Sequence, residues 1–206
     1  MNISPMGNKL LQDAVEQLSS LPGIGKKSAL RFALYLLKQP LENVERFGNS
    51  IIALRKEIKY CKVCNMISDN EACPICSDIK REHKTICVVE SLRDVLSIEG
   101  TGEYKGVYHV LGGVISPMDG VGPSDLPINS LYNRVVGGNV EEVILALSTG
   151  MEGETTSFYI YKVLAPLNIK ITTIARGVAF GDDLEFTDQL TLGKSIVNRQ
   201  IFMPEI

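Results

Sequence analysis

Four cysteines in the first half of the chain constrain the fold more than any other feature. They form two Cys-x-x-Cys pairs, Cys61 with Cys64 and Cys73 with Cys76, and eight residues separate the pairs. Each pair can present two thiolates from one tight turn, and four thiolates complete the tetrahedral coordination of Zn²⁺. The spacing therefore predicts one structural zinc ion per chain, with no coordination position left for water.

A redox-active pair and two disulfides are the alternative uses of these cysteines. Pairs that lie so close together in sequence are hard to explain in either way, and five cysteines, an odd count, suit a secreted disulfide framework poorly. The fifth, Cys87, lies in an apolar run and is predicted to be a core residue. We therefore favour the zinc site and expect a cytoplasmic protein.

The composition excludes several other classes of protein. The chain has 206 residues, 45% of them hydrophobic, a net charge of -3 and a mean hydropathy of +0.10. A chain like this can bury one good core or two small ones, so it is not a disordered linker. No apolar stretch approaches the roughly 18 to 20 residues that span a bilayer, and residues 1–15 lack a secretion signal. We expect no membrane contact.

The amino-terminal part is predicted to be helical. Apolar residues recur every three or four positions before residue 20, again from Ala29 to Leu37, and from Val44 to Ile58, which predicts three amphipathic helices. Between the first two, residues 21–25 read Leu-Pro-Gly-Ile-Gly. Proline removes a backbone donor and Gly23 and Gly25 allow positive φ, so the sequence predicts a sharp turn there.

From residue 85 onwards the pattern changes to short β-branched runs. Strands are predicted at 85–90, 106–111, 143–147 and 169–174, with helices at about 92–99, 131–135 and 154–164 between them. Residues 112–127, rich in glycine and proline, are predicted to form a long loop, and Thr187 can cap a last helix over 188–198. The fold class is α/β, with a parallel sheet covered by helices.

The glycine turn suggests a nucleic-acid contact. Residues 1–60 carry 9 Lys and Arg against 5 Asp and Glu, whereas the rest of the chain is acidic. The amides of Gly23 and Gly25 and the side chains of Lys26, Lys27 and Arg31 would offer donors and positive charge to phosphates at a helix amino terminus. This predicts sequence-independent DNA binding. The alternative is a packing hairpin whose lysines are merely solvated.

Three glutamates mark a second candidate site. Glu90 ends the first long strand, and Glu152 and Glu154 follow the third, at the sheet edge where α/β proteins place ligands. Such carboxylates often hold magnesium. A two-metal phosphoryl-transfer site needs more of them than this turn supplies, so we assign no catalytic residue.

Taken together, these features make the chain resemble the bacterial RecR family of recombination mediators over nearly its full length. The matching segments are the hairpin at 21–31, the four cysteines, Val88-Val89-Glu90, 109–113 with Ser116-Pro117, Glu-Gly-Glu at 152–154 and 174–177. The resemblance implies a helix-hairpin-helix region at 1–58, a four-cysteine zinc finger at 59–80, a Toprim-like domain at 81–176 and a carboxy-terminal oligomerisation segment at 177–206.

The resemblance also implies a function. In Toprim enzymes an Asp-x-Asp pair precedes Glu-Gly-Glu, and Ser148 and Gly150 occupy those places here. The family therefore implies a non-enzymatic clamp, a tetrameric ring, that grips DNA through Lys27 and Arg31. It would act with RecO and RecF to load RecA at single-stranded gaps, with Glu90, Glu152 and Glu154 linked to RecO contact. The alternative is a magnesium-dependent Toprim nuclease or strand-passing enzyme.

This chain departs from the family's pattern at two positions. Lys26 stands where a proline is common and adds a positive charge to the hairpin, and Thr173 stands where an arginine is common, near the end of the sheet.

Overall fold

The computed structural model describes residues 8–175, 177–178, 181 and 183–199, and the chain divides into two compact units, Met1–Ile58 and Lys59–Ile206. Parts of the predicted carboxy-terminal segment, and Arg176 of the 174–177 motif, lie outside the described residues.

Residues 8–58 of the first unit form three helices. They are α1 (Lys9–Ser19), α2 (Lys26–Leu36) and α3 (Leu41–Glu57), as the apolar periodicity predicted. Asn8 caps α1, because its side-chain oxygen accepts a hydrogen bond of 3.2 Å from the Leu11 amide. The core between α1 and α2 is small and is built on Val15, Ala29 and Ala33.

The apolar stripe of helix α3 is exposed in the structure. The helix is amphipathic as predicted, but none of its residues is buried, and Phe47, Ile51 and Leu54 on its apolar stripe are each about half exposed. The periodicity identified the helix correctly but did not reveal what covers the stripe. A monomer rarely leaves such a continuous apolar surface in water.

The second unit begins with the cysteine-rich segment, residues 59–77, which we call the knuckle. Strands β1 (Lys59–Tyr60) and β2 (Ile67–Ser68) pair antiparallel, and the one-turn helix α4 (Pro74–Ser77) follows them. None of these three elements was predicted, because each is shorter than the window in which apolar periodicity can be recognised.

A four-stranded parallel sheet forms the centre of the second unit. Its strands are β3 (Glu82–Val89), β4 (Gly106–Val110), β5 (Glu142–Ala146) and β6 (Lys170–Thr173), in the order β4-β3-β5-β6. The helices are α5 (Leu92–Glu99), α6 (Ile128–Gly137), α7 (Met151–Leu164) and α8 (Gln189–Val197). The prediction of a parallel α/β sheet is confirmed.

The two faces of the sheet are covered differently. On one face, Ile86 and Val88 pack with Leu131 of α6 and Ile160 of α7. On the other, a second cluster joins β3 and β4 to Val95 of α5 and to the knuckle, through Cys87, Val89, Tyr108, Val110, Cys61, Cys64, Met66 and Cys73. The knuckle therefore lies where a second helix would otherwise complete that layer.

A partly buried ion pair joins the start of the sheet to α5. The Arg81 guanidinium binds the Glu99 carboxylate through both terminal nitrogens, and the Tyr108 hydroxyl donates a hydrogen bond of 2.7 Å to the same carboxylate. Arg81 and then Tyr108 both favour the ionised form and lower the pKa of Glu99. This network closes the edge of the layer that the knuckle helps to cover.

Two local predictions need correction. The residue that caps α8 is Asp188, whose carboxylate accepts from the Thr191 amide at 2.9 Å, and not Thr187. The loop at 112–127 contains two single-turn 3₁₀ helices, Pro117–Asp119 and Pro123–Asp125, because each proline fixes φ at the first position of a turn.

Candidate metal centre and nucleic-acid interface

Tight turns of the knuckle bring the four predicted cysteine ligands together. Cys61 follows β1, Cys64 precedes the left-handed residue Asn65, Cys73 caps the start of α4, and Cys76 lies within that helix. All four sulfur atoms lie within 4.8 Å of one another. The Cys64 and Cys73 sulfurs are 3.6 Å apart, far longer than the roughly 2.05 Å of a disulfide. All five cysteines of the chain are free thiols, so the disulfide alternative is excluded.

Close packing shifts the pKa values of these thiols in opposite directions. Hydrogen bonds from neighbouring thiols, first that of Cys76, lower the pKa of Cys64 to about 5, whereas burial raises the pKa of Cys73 to about 11. Backbone amides point at two of the sulfurs, from Cys73 to Cys61 at 3.3 Å and from Cys76 to Cys73 at 3.4 Å. Four sulfur donors in this arrangement fit Zn²⁺, which stabilises the thiolate form of each ligand.

The knuckle is joined to the sheet through its own backbone. The Val110 amide at the end of β4 donates a hydrogen bond of 2.8 Å to the Cys64 carbonyl. Both residues belong to the buried cluster that joins the cysteines of the knuckle to β3 and β4. The knuckle belongs to the second unit, where it acts as a layer of the domain.

The glycine turn between α1 and α2 is formed by one left-handed glycine. Gly23 has φ of +79°, and the Ile24 amide closes the turn on the Leu21 carbonyl at 3.1 Å. Gly25, expected to use positive φ as well, is extended (φ -80°) and is the amino-terminal cap of α2. Because glycine has no side chain, no cap bond from Gly25 engages the first-turn amides of α2, and they remain available to a ligand.

The predicted DNA-binding side chains all lie on α2 and are exposed. Lys26 and Lys27 occupy its first turn, Arg31 lies one turn further, and its guanidinium carbon is 5.5 Å from the centre of the Phe32 ring. Within the described part of the chain, none of these three cations forms a salt bridge. Their charges are therefore not neutralised by neighbouring carboxylates.

Glu90 follows β3 directly, and Glu152 and Glu154 lie in the first turn of α7, after β5. Each of the three binds a different group. The Ser148 amide donates a hydrogen bond of 2.6 Å to Glu90, the Ser116 hydroxyl donates to Glu152, and Glu154 lies 3.6 Å from the Lys194 ammonium. Among the residues that the structure describes, the four cysteines are the one group of three or more potential ligands close enough to share an ion.

Neither Ser116 nor Asp119 was predicted to have a role. The hydroxyl of buried Ser116 lies within hydrogen-bond distance of the Asp119 carboxylate, at 2.8 Å, and of the Glu152 carboxylate, at 2.5 Å, and so joins the loop after β4 to the start of α7. The Ser116-Pro117 pair was part of the recognised motif, but nothing in the sequence indicated its partners, which are three and 36 residues away.

Comparisons with known proteins place all of these parts in one family. Four family models match in chain order: the RecR helix-hairpin-helix at 11–54, the RecR four-cysteine zinc finger domain at 58–78, the Toprim domain at 84–175 and the RecR C-terminal model at 177–200. The chain is 60% identical to "Recombination protein RecR" of Bacteroides thetaiotaomicron over 193 residues, which cover 94% of each chain. It belongs to the RecR family.

Other RecR proteins match as fully. The protein of the same name from Porphyromonas gingivalis strain W83 is 52% identical over 99% of both chains, and that of Flavobacterium johnsoniae is 54% identical over 95% of both. The prediction of family and fold class is confirmed, and so is the four-cysteine zinc finger. In the part that the structure describes, no helix of this RecR chain is both long and apolar enough for a membrane span.

Proposed function

We propose that this RecR chain is a non-enzymatic DNA clamp of recombinational repair, which works with RecO and RecF to help load RecA at single-stranded gaps. The observation that carries the proposal is the exposed, unneutralised row of Lys26, Lys27 and Arg31 beside the glycine cap of α2. The printed names of the relatives, "Recombination protein RecR", support the biological setting.

The chemistry of the hairpin suits phosphate. The amides of Gly23, Gly25 and the first turn of α2 supply fixed donors, and the helix dipole favours an anion there. Lys27 and Arg31 are four residues apart and lie on one helix face, so both can contact one sugar-phosphate backbone. Contacts of this kind position DNA without distinguishing bases.

The carboxylates support a role without bond cleavage. Glu90 is held by the Ser148 amide, Glu152 by Ser116, and Glu154 lies beside Lys194, so the three side chains are directed to separate partners. A two-metal centre needs carboxylates that converge on ions about 4 Å apart. As acidic groups around one sheet edge, Glu90, Glu152 and Glu154 instead suit contact with a protein partner, for which we propose RecO.

A homo-oligomer, a tetrameric ring, would overcome the weakness of one basic hairpin. Several copies that hold the same DNA combine weak contacts into a strong one. The uncovered stripe of α3, with Phe47, Ile51 and Leu54, supports assembly because contact with another copy removes it from water.

The decisive experiment is a DNA titration with K27A/R31A. We expect the double variant to lose most of its affinity for DNA. For the wild type on duplex DNA, the logarithm of the binding constant should fall with the logarithm of the salt concentration, with a slope of about 0.9 for each phosphate that is neutralised. The matched control, K84A/K170A, removes two lysines that are paired with Glu141 and Glu142 and should bind normally. Unchanged affinity of K27A/R31A would refute the DNA-binding assignment.

Cleavage assays test the other half of the proposal. We expect no cutting of DNA with Mg²⁺, whereas a Toprim nuclease would cut and would lose this activity in E90Q. For the partner site, E152Q/E154Q should weaken capture of purified RecO while DNA affinity stays normal. Normal RecO capture by this variant would refute the proposed partner surface.

A further inference from the structure

The basic row on α2 continues into a groove that the proposed function does not explain. The groove has a volume of about 450 Å³ and is lined by Lys27, Leu30, Arg31, Leu34, Tyr35 and Lys38. It follows one face of α2 for roughly 15 Å, given the 1.5 Å rise of a helix per residue. Its lining combines three cations and a phenol with two leucines, so a ligand must be both anionic and partly apolar.

The charge of the groove has one sign. Lys27, Arg31 and Lys38 line it together with no acidic residue, and within the described residues none of these cations forms a salt bridge. Lys38 adds a third cation beyond the end of α2, well away from the glycine turn. A chain of phosphates complements such a row.

Tyr35 lines the groove together with these cations and also borders the neighbouring apolar cavity. Its side chain is 61% exposed, and Leu34 beside it is 44% exposed. In a duplex both faces of every base are covered by its neighbours in the stack, but an unpaired base can leave its flat face open to a protein ring. An exposed tyrosine that is flanked by phosphate-binding cations is therefore suited to single strands.

We propose that this groove binds single-stranded DNA, with one unpaired base stacked on Tyr35 and the flanking phosphates held by Lys27, Arg31 and Lys38. The proposal rests on the DNA binding proposed above and adds strand selectivity at the same site. The competing occupant is a second copy of the chain. A symmetric contact would bring the same three cations against each other, and such like-charge contacts are unfavourable.

Binding of fluorescent oligothymidylate and of a duplex of equal length, at one salt concentration, tests the proposal with the full-length protein. Y35L should lower single-strand affinity by roughly five- to a hundredfold, the range for loss of one stacked base, and change duplex affinity less than about twofold. Y35F keeps the ring and should bind like the wild type. The control Y60L removes an equally exposed tyrosine outside the groove and should change neither affinity.

K38A provides a second arm. This variant should bind both single-stranded and duplex DNA more weakly. The slope of log binding constant against log salt concentration should decrease by about 0.7 for single strands. The oligomeric state of Y35L, measured as the mass of the assembly in solution, should equal that of the wild type. A change of mass, or an equal loss of single-strand and duplex affinity in Y35L, would overturn the proposal, because Tyr35 would then pack between copies or act only on the fold.

The two proposals fail in different ways. If K27A/R31A loses binding and Y35L loses none, the stacking proposal is wrong and the clamp stands. If K27A/R31A binds normally, the hairpin is not the DNA site and both proposals are wrong.

Discussion

The backbone amide of Val110 donates a hydrogen bond of 2.8 Å to the carbonyl of Cys64, so a strand of the sheet is bonded directly to the zinc knuckle. The knuckle and the strands also share one buried cluster, which includes Cys87. The metal ligands are therefore part of the packing of the Toprim domain. Loss of the ion should loosen the packing on that face of the sheet.

Removal of zinc should expose Cys87. In the structure Cys87 is 2% exposed, so its thiol should resist alkylation while zinc holds the knuckle in place. After chelation the knuckle loses the ion that holds it and uncovers its face of the sheet, so Cys87 should react together with the four ligands. Alkylation followed by peptide mass spectrometry measures this. C87S should lose one reactive thiol after chelation, and continued protection of Cys87 would show that the knuckle does not cover the sheet.

Substitution of Gly153 by alanine should destabilise the second unit by about 2 kcal/mol or more, as overpacking does. A Cβ there would lie 2.2 Å from the Ser148 carbonyl oxygen, so α7 can approach the turn after β5 only with glycine at this position. Urea unfolding measures the change. G137A is the matched control, because a Cβ at Gly137 meets nothing within 4 Å. A stable G153A protein would contradict the close approach.

Stability should decline in mild acid because of His109. Its ring is fully buried, Nε2 lies 2.9 Å from the Pro127 carbonyl oxygen, and Nδ1 is without a hydrogen-bond partner. Burial lowers the pKa of His109 from 6.5 to about 4. Between pH 6.5 and pH 4 the unfolded chain binds a proton at His109 that the folded chain does not bind. The free energy of unfolding therefore falls as the pH is lowered through this range, by about 3 kcal/mol at its lower end.

Urea titrations at several pH values, with NMR of the His109 ring, check this expectation. The ring should stay neutral at pH 6 in the folded protein, with its proton on Nε2, where it can donate to the Pro127 carbonyl. A ring that is protonated at pH 6, or stability that is flat between pH 7 and 5, would contradict it.

The sequence predicted the elements whose signals are local. Apolar periodicity placed α1, α2 and α3 within a few residues, and β-branched runs placed the four strands of the sheet. Cysteine spacing identified the metal ligands without any knowledge of the fold, because the ligands of a tetrahedral ion that come from two turns must follow such a spacing. Cys87 is buried, as its apolar surroundings predicted.

Features that depend on distant contacts could not be predicted. The bond from Ser148 to Glu90 joins residues 58 positions apart, and the pairing of Val110 with Cys64 depends on how the knuckle folds. Asp188 caps α8 instead of Thr187. The two residues are adjacent and both are good cap formers, so the sequence did not distinguish them. The exposure of the α3 stripe depends on partners that a single sequence does not contain.

The engagement of Glu90 with the turn after β5 has a consequence for protein engineering. Writing aspartates at positions 148 and 150 would copy the acidic pair of Toprim enzymes, yet Glu90 would still be bound to the amide of residue 148. A design for a hydrolytic site would also have to give that amide a new acceptor. Two point substitutions would supply the two missing carboxylates, but the carboxylate of Glu90 would stay bound to the backbone.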